Sequence, residues 1–70
     1  MPDSQALRAA IRAADEKGQI GYMRHLCELY LMNHPNHVPT LIVHARNLIT
    51  LAQYDAAEVA LDHAQSKAPK

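Results

Sequence analysis

Histidine, cysteine and arginine are the residue types of this 70-residue chain best suited to building a site. Five histidines stand at positions 25, 34, 37, 44 and 63, and two of them share the stretch His34-Pro35-Asn36-His37. Two imidazoles three residues apart can share a Zn2+ or Ni2+ ion, but a protein metal site needs three or four ligands. Cys27 lies about two helical turns before His34, and His44 follows His37 by seven residues. The plainer reading is a set of loop histidines open to water, and no metal or other cofactor is expected. Cys27 beside a histidine would make a nucleophile pair. It falls, however, in the apolar stripe Met23, Leu26, Cys27, Tyr30, where a free cysteine behaves as a small hydrophobe. No glycine-rich phosphate loop, serine nucleophile elbow or pair of catalytic carboxylates is present. Asp15-Glu16 reads as a solvated helix end. No enzymatic activity is expected.

Composition narrows the rest. Apolar residues make up 49% of the chain, enough for a globular core. With no Trp and no Phe, that core must be built from Leu, Ile, Met and Ala. Seven basic residues balance seven acidic ones. That balance argues against a general nucleic-acid binder, which carries a basic excess. No apolar run reaches membrane-spanning length. The start Met1-Pro2-Asp3-Ser4 does not read as a signal peptide. A single cysteine excludes an internal disulfide and suits a reducing compartment, so a cytoplasmic location is expected. A chain this short buries only ~60% of its unfolded surface, so a partner surface is the expected supplement.

Glycine and proline divide the sequence into four segments of helical length. The first runs from about Ser4 to Glu16, with Leu7, Ala10, Ile11 and Ala14 on one face. Asp3 or Ser4 can cap it, and Lys17-Gly18 predicts a left-handed stop. The second runs from about Ile20 to Asn33 and is apolar around much of its girth, through Tyr22, Leu29 and Met32 as well as its main stripe. It should sit between neighbours and end before Pro35. The third runs from about Val38 to Ala52, with Pro39 in its first turn and Leu41, Ala45, Leu48 and Ala52 as its stripe. The fourth runs from about Asp55 to Lys67, with Ala57, Ala60, Leu61 and Ala64 on one face. Its opening Asp55-Ala56-Ala57-Glu58 has the form of a capping box. Four helices with short turns predict an all-α fold of two stacked helix–turn–helix hairpins.

The two halves share a register. Pro35 and Pro69 are separated by the same interval as Gly18 and Ala52. That shift also pairs Leu7 with Leu41, Arg12 with Arg46 and Gln19 with Gln53. A period of about 34 residues resembles the tetratricopeptide repeat (TPR), whose pattern is W-x2-L-G-x2-Y…A-x3-F…P. In the second half, Leu41, His44-Ala45 and Leu48 take the places of the opening aromatic, the Leu-Gly pair and the next Tyr. Tyr54, Ala57, Leu61, Ala64 and Pro69 follow in order. Small residues at Ala45, Ala57 and Ala64 let paired helices approach closely. In the first half Leu7, Gly18, Ile20 and Pro35 fit, while Ile11, Met23 and Tyr30 are large where the family is small. The resemblance therefore implies one domain over residues 4–67. Residues 4–35 form a degenerate first repeat and 36–69 a second.

For function, the resemblance implies a protein–protein interaction scaffold whose repeat-opening helices line a concave surface. Arg8 and Arg12, one turn apart, and Arg46 would then face one groove, with Gln5, Ile42, Ile49 and Thr50 completing it. Guanidinium forks grip carboxylates bidentately, so an acidic protein or peptide partner is expected. The competing reading is a solvated face with Arg12 paired to Asp15 or Glu16 along its own helix. A second function is also open, that of a self-assembling structural protein. Two repeats fall short of the usual three, and no polar helix closes the fourth segment. A homo-oligomer is expected, most simply a two-fold dimer through Val59, Ala60 and Leu61.

Overall fold

The chain folds into four α-helices in a computed structural model that describes residues 4–68. They are α1 (Ser4–Glu16), α2 (Ile20–Asn33), α3 (Val38–Thr50) and α4 (Tyr54–Lys67). The described residues form no strand, and the fold is all-α. No described helix is long and apolar enough to cross a membrane.

A left-handed residue ends α1 and another ends α3. Gly18 takes φ +68° and Ala52 takes φ +60°. They occupy equivalent positions in the repeat register, and the hydrogen bonds around them recur. Gln19 N–H donates to Ala14 O at 2.9 Å, and Gln53 N–H donates to Leu48 O at 2.8 Å. Gly18 N–H reaches Asp15 O at 3.1 Å, and Ala52 N–H reaches Ile49 O at 3.0 Å. These bonds satisfy carbonyls that a helix end leaves orphaned, and they turn the chain back on itself. The repeat seen as a sequence register is thus repeated as backbone geometry.

Two boundaries differ from the sequence reading. The helix α3 stops at Thr50 rather than Ala52, because Ala52 occupies the left-handed position that Gly18 fills in the first hairpin. The helix α4 starts at Tyr54, with Gln53 as its N-cap and no side-chain capping bond. Asp55 therefore lies inside the first turn, where its charge suits the helix dipole, and the Asp55–Glu58 capping box does not form. Ser4 lies within α1, and its hydroxyl bonds to His34 Nε2 at 2.8 Å. Asp3 and Pro69, both used in the sequence reading, lie outside the described residues.

Each helix packs on its chain neighbour, and α2 lies between α1 and α3. The first hairpin buries Leu7 and Ala14 of α1 against Met23, Leu26, Cys27 and Tyr30 of α2. Val43 of α3 joins that cluster and ties the hairpins together. The second hairpin's core is smaller, made of Ala45, Leu48, Ala57 and Ala60. Of the residues expected to widen the α2 stripe, Tyr22 and Met32 are exposed. Leu61 is exposed rather than part of the α4 core, and Ala52 is likewise outside the α3 core.

Candidate functional site

The helices α1 and α3 run along either side of a groove of about 260 Å3. Its basic rim comes from Arg8 and Arg12 of α1 and Arg46 of α3, with His37 at one end. Ile11, Met23 and Val43 line it between these polar groups. Arg8 and Arg12 fall on this side because they are four residues apart on the face flanking the buried Leu7 and Ala14. Arg46 flanks the buried Ala45 and Asn47 in the same manner.

The groove's single carboxylate is Asp15, and it is engaged across the groove. Arg46 Nη2 donates to Asp15 Oδ1 at 3.1 Å, linking α3 to α1. Asp15 therefore pairs with Arg46 rather than with Arg12, the partner expected along its own helix. Both side chains are more than half exposed, so the pair contributes little to stability and mainly sets the groove's charge. Neither Arg8 nor Arg12 makes an ion pair among the described residues. His37 Nδ1 is hydrogen-bonded to Thr40 Oγ1 at 2.7 Å, which fixes the imidazole over the first turn of α3.

The other sequence-derived site residues are spread over the surface. Gln5 lies in a shallow depression on α1 with Arg8 and Arg12. Ile42 lies on another side, in a furrow between α3 and α4 with Leu61. Ile49 and Thr50 are exposed near the end of α3. Val59, Ala60 and Leu61, expected as one oligomer contact, divide among different surroundings. Ala60 packs in the second hairpin's core, and Val59 borders a depression between α2 and α4 with His44 and His63. Leu61 lines the furrow. Sequence reasoning missed Ile11, Met23, His37 and Val43 as groove residues. Thr40 and Val43 lie one turn apart on the face of α3 that lines the groove, and that i, i+3 spacing was the available signal.

Three of the five histidines, His34, His37 and His63, have local partners, whereas His44 Nδ1 is buried without one among the described residues. The rings of His34 and His37 sit 4.7 and 5.2 Å from the Tyr30 ring. His63 Nε2 donates to Asn36 Oδ1 at 2.8 Å, tying α4 to the central loop. Among the described residues, no three His, Cys, Asp or Glu side chains gather where they could hold a metal ion. Cys27 is fully buried, and Asn47 Nδ2 approaches its sulfur at 4.0 Å. Burial pushes the thiol up to about 11, with Arg46 lowering it and Glu28 raising it further to a lesser degree. A thiol so placed is a poor nucleophile.

No family model, curated protein or solved structure matches the chain.

Proposed function

We propose that this chain is a non-enzymatic, TPR-like interaction module that binds an acidic segment of a partner protein in the α1–α3 groove. One observation carries the reading. Three arginines from two helices line a groove with an apolar interior, and its lone carboxylate is already engaged by Arg46. A peptide carboxylate laid along this groove meets Arg8 and Arg12 as unpaired forks, while its aliphatic parts cover Ile11, Met23 and Val43. The hairpin period and its duplicated turn support the repeat reading. Nucleic acid is a poor fit for a chain of zero net charge. A buried free thiol suits a reducing compartment, and the cytoplasm is the proposed location.

Fluorescence anisotropy with a panel of labelled acidic peptides tests the proposal. Wild type should bind weakly, and rising salt should weaken binding further because exposed charges are screened beyond ~8–10 Å. The variant Arg8→Ala/Arg12→Ala/Arg46→Ala should lose affinity while keeping its helical circular dichroism. Equal binding by wild type and variant would sink the reading.

A further inference from the structure

The repeat register relates every surface of the second hairpin to one in the first, and one comparison is informative. In the first hairpin, the face turned toward α3 carries Cys27, which is 0% exposed because Val43 and Asn47 of α3 cover that side. Its counterpart one repeat later is Leu61, which is 42% exposed. Four neighbouring positions change in the same direction, while Leu31 becomes Gln65. Ser4 and His34, joined by a hydrogen bond, become Val38 and Ala68. Arg8 and Asp15 become Ile42 and Ile49, both about half exposed. A face open to water is expected to be more polar than a covered one, and this one becomes more apolar at these four positions and at Leu61. It encloses a furrow of about 270 Å3 between α3 and α4.

The opposite end of the molecule carries the matching surface. Val43 packs on the first hairpin's core and Asn47 meets Cys27 of α2, with Thr40 one turn before Val43 on α3, and their counterparts one repeat earlier are Ala9, Ala13 and Ala6. All three alanines are exposed on α1. The sizes also compensate. Where Cys27 meets the larger Asn47 inside the chain, the larger Leu61 would meet the smaller Ala13 of another copy.

We propose that copies of this chain stack head to tail, with α1 of one copy seated on the α3–α4 furrow of the next in the way α3 sits on α2. The contact continues the interface that already joins the two hairpins. It is heterologous, so it propagates rather than closing at two chains. It also extends the groove, because Ile42 and Ile49 then border α1 of the next copy as Arg8 and Asp15 border α3. The stacking does not depend on peptide binding.

Analytical ultracentrifugation from micromolar to millimolar concentration tests it. The wild-type mass should climb past twice the 7.8 kDa of one chain. Ala9→Arg blocks the leading face and Leu61→Asp the trailing face, and each variant alone should be a folded monomer by circular dichroism. Mixed together, the two keep one intact pair of faces and should form a 1:1 dimer that grows no further. Ile42→Glu replaces Leu61→Asp in every arm if the latter unfolds. A wild type that stays monomeric, one whose mass stops at two chains, or a mixture of variants that does not pair would each overturn the proposal. Because Leu61 lies in the α3–α4 furrow and Leu61→Asp leaves Arg8, Arg12 and Arg46 untouched, peptide binding by that monomer is read separately, and either idea can fail alone.

Discussion

The two left-handed turns are a matched pair that differs by one methyl group. Gly18 adopts φ +68° without strain, whereas Ala52 at φ +60° brings its Cβ against the following carbonyl. Ala52→Gly should therefore stabilise the fold by about 0.5–1 kcal/mol, part of the relief being offset by the greater freedom of glycine in the unfolded chain. Gly18→Ala should cost about 1 kcal/mol, and that cost is purely conformational because a Cβ there meets nothing within 4 Å. Urea melts of both variants check the pair, and shifts of the same sign would contradict it. His44 gives a second test at this scale. Burial lowers its pKa below the ordinary 6.5, with Glu28 opposing and Arg24 adding to the effect. The folded state thus favours neutral imidazole. Its contribution is present above the unfolded pKa of about 6.5 and is lost as pH falls through the depressed folded value. Wild type should lose thermal stability on acidification more steeply than His44→Gln, and superimposable profiles would exclude this role.

At the scale of elements, the second hairpin depends on alanine. Ala57, Ala60 and Ala64 occupy the positions that Met23, Leu26 and Tyr30 hold in the first hairpin, and all six are buried. Small side chains bring α4 close to α3, and these two helices make the most extensive contact in the molecule. Ala57→Leu should overpack that contact and cost ~1–3 kcal/mol, read as a lower melting temperature. An unchanged melt would mean that the helices can separate freely. The limits of α1 and α2 were legible in the sequence because Gly18 and Pro35 mark them by their own stereochemistry. The end of α3 was not, since Ala52 carries no left-handed preference and takes that geometry from the turn around it. The start of α4 misled for a related reason. Asp55 has the chemistry of a cap, but the turn through Ala52 and Gln53 sets the first helical residue at Tyr54.

At the scale of the whole molecule, the arginines of the groove could be read from the repeat register, because Arg12 and Arg46 are equivalent positions on equivalent helices. The partner of Asp15 could not. Local spacing favours Arg12, three residues away, and only the placement of α3 beside α1 brings Arg46 within 3.1 Å. That pair governs how much positive charge the groove offers. Asp15 both neutralises Arg46 and repels an incoming carboxylate, while contributing little to folding as an exposed partner. Asp15→Asn should therefore tighten acidic-peptide binding several-fold and steepen its salt dependence, since one more guanidinium is released toward the ligand. Anisotropy titrations at two salt concentrations measure both effects, and circular dichroism shows whether the fold is kept. Weaker binding by a fully folded Asp15→Asn would mean that Asp15 acts by holding Arg46 in position. In that case Arg46→Lys, which keeps the charge but not the planar fork, should bind as poorly as Asp15→Asn.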